Sequence, residues 1–234
     1  MANIRNHPKF DGVFVSGGHD IQHIYTVNLD KGRTIYGEKT TEMNGVEYRE
    51  WNPYRSKLAA CIQNNCRKTF LDAKTKVLYL GASSGTTVSH FSDIAKEGII
   101  YAVEFSPRSL RELVQNCADR PNVIPILGDA TRPFDYAKFI STEVDLLYMD
   151  VAQPNQGEIL RKNAEWFLKK DGAFIYAIKS RAIDTTKAPG EIFKAEIAAL
   201  SSAGFEINDQ IRLEPYSADH MVLFGRFLGK PSAE

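Results

Sequence analysis

The chain has 234 residues, 43% of them hydrophobic, which is enough for one sizeable core or one core with a small appendage. Its 29 Lys and Arg balance its 29 Asp and Glu, excluding the strongly basic field of a protein that holds nucleic acid unaided and leaving basic surface only as a local feature. Cys61, Cys66 and Cys117 have neither metal-ligand spacing nor disulfide-scaffold density and read as reduced, buried thiols; no His/Cys cluster points to a metal.

Residues 1–52 read as a small antiparallel β domain. GVFVS, HIYTVNL, RTIYGEK and GVEYREW are short alternating or β-branched runs, separated by Gly17-Gly18, Asp30-Lys31-Gly32 and Asn44-Gly45. Asn44-Gly45 is a two-residue hairpin signal, because both turn positions must take positive φ. No apolar run has signal-peptide length in this region, and none in the chain approaches the ~18 residues of a membrane span. A cytoplasmic protein without membrane contact is expected.

Residues 53–234 change rhythm. Ser56 is the expected N-cap of a helix reaching about residue 70. Strands at 77–80, 99–103, 123–127, 145–149 and 173–178 then alternate with helices at 87–96, 107–118, 133–140, 155–169 and 190–203. This alternation predicts βαβ units, a parallel sheet and helices on both faces. FEINDQIRLEPY and MVLFGRFL, with no helix between them, predict an antiparallel pair at one edge.

The first strand of the alternating region runs into LGASSGTT, the place where open α/β sheets bind ligands. A dinucleotide fingerprint needs glycine at 81, 83 and 86, whereas the chain has Gly81, Ser83 and Thr86. NAD and FAD are therefore disfavoured. Gly81, Ala82, Ser84, Gly85, Thr86 and Thr87 still provide a tight turn and a hydroxyl-rich helix N-terminus, suited to a small anionic group such as a carboxylate.

Glu104 ends the next strand, 23 residues after Gly81. It suits a ribose diol, and Phe105 beside it a purine face. Asp129 ends the third strand and suits an exocyclic amine. The plain alternatives are a solvated turn carboxylate for Glu104 and a helix N-cap for Asp129.

EYREWNPYRSKLAA, LYLGASSGTT, AVEFSPRSLREL, ILGDATRP, DVAQPNQ and the AIKSR-ID-TK pattern together resemble the fibrillarin family, and within it the archaeal RNA 2′-O-methyltransferases. The resemblance runs from about residue 35 onward. The glycine/arginine-rich N-terminal extension of eukaryotic members is absent. The resemblance implies a Rossmann-like, S-adenosylmethionine-dependent methyltransferase fold with a seven-stranded sheet whose last strand is antiparallel. It also implies that Thr86 and Thr87 lie near the methionine portion, Glu104 and Phe105 hold ribose and adenine, and Asp129 and Ala130 flank the adenine. Asp150, Val151, Ala152 and Gln153 would line the side nearest the sulfonium.

Related 2′-O-methyltransferases use a Lys-Asp-Lys arrangement, and Lys57, Asp150 and Lys179 match it. A ribose hydroxyl is a poor nucleophile until its proton is removed. The sulfonium and Lys57 would favour a neutral amine at Lys179, while Asp150 would hold both lysines. Lys179 is thus read as base, Asp150 as orienting group and Lys57 as electrostatic support. Glu214, Asp219 and His220 are candidates for a fourth polar residue, with His220 read as structural.

Arg55, Lys57, Arg108, Arg132, Lys179, Arg181 and Lys187 are candidates for a phosphate-binding rim. The resemblance implies a box C/D particle with guide RNA, target rRNA or tRNA, a Nop-family coiled-coil scaffold and a kink-turn-binding ribosomal-type protein. The N-terminal β domain and nearby helices are candidate docking surfaces. Two other readings compete. An NAD-dependent oxidoreductase conflicts with Ser83 and Thr86, and a non-catalytic particle subunit has no need of a Lys-Asp-Lys cleft.

Overall fold

A computed structural model describes residues 3–17 and 23–229; Gly18, half of one expected turn, lies outside them. Strands β1 (Arg5–Asn6), β2 (Val13–Ser16), β3 (His23–Val27), β4 (Thr40–Met43) and β5 (Val46–Glu50) form an antiparallel sheet in the order β1-β2-β3-β5-β4. Asn44 and Gly45 take φ of 53° and 78° and close the β4–β5 hairpin. Residues 33–39, expected as a strand, are a loop. The Glu38 carboxylate accepts the backbone N–H groups of Ile35 (3.0 Å) and Tyr36 (2.9 Å), which turns the chain and leaves Thr40–Met43 to pair with β5.

The remaining elements are α1 (Lys57–Gln63), β6 (Lys76–Leu80), α2 (Thr86–Ile94), β7 (Ile99–Glu104), α3 (Pro107–Asn116), β8 (Val123–Leu127), α4 (Pro133–Tyr136) with a following 3-10 turn, β9 (Val144–Met149), α5 (Gln156–Phe167), β10 (Leu168–Lys179), α6 (Ser180–Ile183), α7 (Pro189–Ser202), β11 (Phe205–Arg212) and β12 (His220–Phe227). They build a seven-stranded sheet in the order β11-β12-β10-β9-β6-β7-β8. Neighbours from β10 to β8 are parallel, and β12 is antiparallel to both of its partners.

Successive side chains of a strand point to opposite faces, and the central strand β6 is buried on both. Val77 and Tyr79 join a core with Leu58 of α1, Phe91 of α2 and Leu113 of α3. Leu78 and Leu80 join a second core with Leu160 of α5 and Phe193 of α7. A strand enclosed on both sides reads as an apolar run rather than an alternating one.

Helix α1 is shorter than expected. Asn65 takes φ of 61°, Cys66 N–H bonds to Cys61 O at 2.9 Å and Asn65 N–H to Ile62 O at 3.1 Å. This is a Schellman ending with Asn in the left-handed position.

The two sheets meet over α2. Arg49, 0% exposed, pairs with Glu38 at 2.6 Å and Asp93 at 3.4 Å, and Arg120 pairs with Asp93 at 2.6 Å. Thr26 of β3 donates to Asp93 Oδ2 at 2.6 Å, and the Trp51 ring stacks on His90 at 4.9 Å. A buried charge of this kind is tolerated only when its partners are in place. The network ties the helix that follows the LGASSG loop to the N-terminal sheet.

Candidate active site

From β6 the chain builds outward through β7 and β8, then returns to the other side of β6 with β9 and β10. The carboxyl ends of β6 and β9 flank this switch point, where α/β sheets take ligands. They meet closely: Asp150 N–H bonds to Leu80 O at 3.0 Å. Gly81 has φ +82°, and a Cβ there would stand 2.7 Å from the Asp150 carbonyl oxygen. Glycine is required at 81 on both counts. Ser83 keeps a left-handed φ of 50° without being glycine.

A cavity of about 260 Å³ opens at this point. Gly81 and Ser83 contribute from the loop after β6, Val103 and Glu104 from the end of β7 with Phe105 just beyond it, and Gly128 and Ala130 from the loop after β8. Asp150, Val151, Ala152 and Gln153 contribute from the loop after β9, and Lys179 from the end of β10. Glu104 Oε2 accepts Ser83 N–H at 2.7 Å and Oε1 accepts Ser106 N–H at 2.8 Å. Each carboxylate oxygen has a further lone pair for a ligand hydroxyl. Phe105 is 68% exposed, so one ring face is open to a purine.

The other expected site residues belong to the neighbouring turns and do not line this cavity. Asp129 Oδ1 accepts Thr131 N–H at 2.9 Å, closing its own turn, and Arg132 rather than Asp129 precedes α4. Ala82 is buried, Ser84 O accepts from Asn116 at 2.8 Å, and Gly85 is the N-cap residue of α2. Thr86 begins that helix, while Thr87 bonds to Ser56. A larger cavity, about 580 Å³, lies where β6 and β9 begin, beside Thr75 and Asp145. That is the opposite pole from the one where such sheets bind ligands.

Three charged side chains converge on the β9 end of the smaller cavity. Lys57 Nζ donates to Asp150 Oδ2 at 2.8 Å. Lys179 Nζ lies 2.8 Å from Asp150 Oδ1 and donates to the Asp150 backbone oxygen at 2.9 Å. The bond to the backbone is well directed, whereas the approach to Oδ1 is close without good alignment. Burial pushes the Asp150 carboxyl up, but the two ammonium groups outweigh it and hold the pKa below the usual carboxylate range. Lys57 also borders a hollow of about 80 Å³ with Tyr54, Arg55, Tyr216 and Ser217. The Lys-Asp-Lys cluster therefore stands between two openings.

Gln156, the last residue of DVAQPNQ, is a further member of the site that no motif spacing singles out. It is fully buried, accepts Lys179 N–H at 3.1 Å and donates to Lys179 O at 3.2 Å. It thereby fixes the backbone that carries Lys179. The three candidate fourth residues also separate. Glu214 pairs with Arg212 and Asp219 with Arg181, each at 3.0 Å. His220 stands opposite Lys179 in the β10–β12 register. Burial lowers its pKa, the bond to Ala218 O opposes that, and the charges of Lys57, Asp150 and Lys179 all reach it. Because Nδ1 lies 2.6 Å from the Ala218 carbonyl oxygen, which can only accept, Nδ1 carries the proton.

The rim cations are mostly matched locally: Arg108 with Glu112 (3.7 Å), Arg132 with Asp135 (2.9 Å), Arg181 with Asp219, and Lys187 with Asp184 (3.6 Å). Exposed pairs of this type are worth about 0–1 kcal/mol, so a phosphate can displace the carboxylate. Arg55 instead lies over the Tyr36 ring at 5.8 Å. All three cysteines are free and buried, and burial raises Cys66 to about 12 and Cys117 to about 11. No helix among the described residues is long and apolar enough to cross a membrane.

The sequence profile of the Fibrillarin family matches residues 4–229. Over 231 residues the chain is 48% identical to the fibrillarin-like rRNA/tRNA 2′-O-methyltransferase of Methanocaldococcus jannaschii, covering 98% of this chain and 100% of that protein. Aeropyrum pernix fibrillarin in complex with natively bound S-adenosyl-L-methionine has a TM-score of 0.88 to this chain at 43% identity, covering 96% and 99% of the two. A fibrillarin/Nop5p complex contains a chain with a TM-score of 0.80 at 45% identity, covering 88% of this chain and 94% of that one.

Proposed function

The chain belongs to the fibrillarin family, and on that premise we propose that it methylates ribose 2′-hydroxyls of rRNA and tRNA as the catalytic subunit of a box C/D guide-RNA particle. It is an S-adenosylmethionine-dependent RNA 2′-O-methyltransferase. The observation that carries the residue assignment is the placement of Lys57 and Lys179 within 2.8 Å of the two carboxylate oxygens of Asp150, at the wall of the strand-end cavity.

The cavity fits the cofactor's parts. Glu104 would accept from the ribose hydroxyls through its remaining lone pairs, Phe105 would cover the adenine, and Ala130 would flank it. Ala82, Ser84, Gly85 and Thr86 build the turn and the helix N-terminus that favour the methionine carboxylate, and Asp150 to Gln153 border the reacting end. Asp129, which shapes the turn before Ala130 through Oδ1, is assigned to the exocyclic amine of the adenine through its other carboxylate oxygen. When bound, S-adenosylmethionine supplies a methyl group on a sulfonium. NAD remains disfavoured, because Ser83 carries a Cβ where the dinucleotide fingerprint brings a pyrophosphate against bare backbone.

Lys179 is assigned as the base. Having first given up one proton to solvent, it would keep an N–H donor for the Asp150 backbone oxygen. Its lone pair would take the 2′-hydroxyl proton as the hydroxyl oxygen accepts the methyl group and the sulfonium sulfur keeps the electron pair of the broken S–C bond. Asp150 remains ionised and orients both lysines. Lys57 balances the carboxylate and faces the small hollow beside Tyr54 and Arg55, the side assigned to the acceptor strand. Gln156 fixes the base through its backbone. His220, with Nδ1 donating to Ala218, presents Nε2 as an acceptor and is assigned a positioning role beside Lys179.

The balanced total charge agrees with delegating target choice to a guide RNA, and the rim arginines would supplement it. A Nop-family coiled-coil scaffold and a kink-turn-binding protein are the proposed protein partners. Methyl transfer from labelled S-adenosylmethionine, measured with the chain alone and then with guide RNA and both partners, tests this reading. Transfer to a single guided ribose is expected only in the assembled particle, and efficient site-specific transfer by the isolated chain would refute the particle assignment.

A further inference from the structure

Thr87 follows the LGASSGT turn and by resemblance stands near the methionine end of the cofactor, yet it is only 8% exposed and does not line the cavity. Its Oγ1 donates to Ser56 Oγ at 3.1 Å. Ser56 is itself buried and is the N-cap of α1, its oxygen accepting Ala59 N–H at 3.5 Å. Lys57 is the first residue of that helix. One hydroxyl pair thus joins the N-terminus of α2, beside the cofactor loop, to the N-terminus of α1, which carries Lys57.

We propose that Thr87 is a positioning residue for the Lys57–Asp150 pair rather than a cofactor ligand. Its hydroxyl locks the start of α1 against the start of α2 and so sets where Lys57 Nζ meets Asp150 Oδ2. The inference rests on the role assigned above to Lys57. The surroundings support it. Tyr79 is buried close to Thr87, and its ring stacks on that of Tyr148 at 4.5 Å. Burial first, and then the charge of Asp150, hold the Tyr79 phenol in its neutral form. Thr87 is therefore held through its hydroxyl by a buried group that does not line the cavity. A long lysine side chain has many rotamers, and fixing its helix origin narrows them at little cost. Reordering of the cofactor loop would also reach Lys57 through this bond.

The test uses assembled particles under single-turnover conditions, with cofactor affinity measured separately by calorimetry. Thr87→Val keeps shape and removes the hydroxyl. It is expected to slow methyl transfer at saturating cofactor about tenfold while cofactor affinity changes less than about twofold, and Thr87→Ser is expected to restore most of the rate. In a Lys57→Met background, Thr87→Val is expected to add nothing, because coupled residues are non-additive. Weakened cofactor binding with an unchanged saturated rate would make Thr87 a cofactor ligand and overturn the proposal. A full additional loss in the Lys57→Met background would also overturn it, since Thr87 would then act independently of Lys57. Wild-type turnover by Lys57→Met alone would instead refute the role assigned to Lys57, whatever Thr87→Val does.

Discussion

Lys57 and Asp150 stand 93 positions apart in sequence, yet Lys57 Nζ donates to Asp150 Oδ2 at 2.8 Å. With Lys179 on the other carboxylate oxygen, Asp150 holds two cations that would otherwise repel across its own width. Removing its charge should therefore do more than remove one contact. Asp150→Asn is expected to lower methyl transfer by about 10²–10⁴-fold, the range typical of a disabled proton-transfer apparatus. Cofactor affinity, measured by calorimetry, is expected to stay within a few-fold.

Besides the proton that Lys179 itself must lose, the acid limb of the pH–rate profile has a second source. Asp150 is held below the ordinary carboxylate range and stays ionised on the acid side of neutrality. His220 is also lowered, chiefly by burial, so it is neutral at pH 7 and gains a proton only below its ordinary value of about 6.5. A cation there would add to Lys57 and Lys179. Single-turnover rates are expected to fall further as this proton is gained on the acid side of that ordinary value, and His220→Gln is expected to flatten that part of the fall.

A different histidine governs stability. His90 is fully buried; burial, then Arg49 and Arg120, push its pKa well below the usual value. The unfolded chain binds a proton near pH 6.5 and the folded chain does not. This contribution is fully present above pH 6.5 and declines by about 1.4 kcal/mol per pH unit below it, until the folded pKa is reached. Urea unfolding at pH 7.5, 6.5 and 5.5 measures the slope, and His90→Gln is expected to reduce it. Arg49→Leu, which leaves buried Glu38 without its cation while Asp93 keeps Arg120, is expected to cost about 3–5 kcal/mol at pH 7.5.

The switch-point glycine gives a sharper local prediction. Gly81→Ala places a methyl 2.7 Å from the Asp150 carbonyl oxygen at φ +82°, and the left-handed backbone alone costs about 1–2 kcal/mol. Loss of cofactor binding together with at least about 2 kcal/mol of stability is expected. Ser83→Gly, at a position already left-handed, is expected to remain within about 1 kcal/mol of wild type. Calorimetric titration and thermal melting read both.

Much of this was legible in the chain. The β-α alternation located the parallel sheet, Ser56 marked the start of α1, and Asn44-Gly45 marked its hairpin, because each depends on local chemistry. Residues 33–39 misled because RTIYGEK has strand composition, whereas Glu38 uses its carboxylate to turn the backbone and to hold Arg49 from a neighbouring strand. The end of α1 was missed because Asn65, rather than glycine, takes the left-handed position. Gln156 and the inward bond of Thr87 were invisible for a related reason. A helix start and a distant backbone meet only once the sheet has formed, and no spacing rule encodes which way a hydroxyl turns.

The acceptor side can be separated from the cofactor side. Tyr54 is 67% exposed and packs edge-on against Tyr216 at 5.1 Å, beside Arg55 at the small hollow. Arg55→Glu is expected to raise the KM for target RNA at least about fivefold through a lost phosphate contact, with cofactor affinity unchanged.

The central claim is that the Lys57–Asp150–Lys179 cluster performs the transfer. Its most direct test is mapped ribose 2′-O-methylation in fully assembled particles carrying Lys179→Ala, with cofactor binding and particle assembly verified on the same sample. Methylation reduced by at least about a hundredfold, with binding and assembly intact, is the expected result; a wild-type rate would contradict the assignment of Lys179 as base.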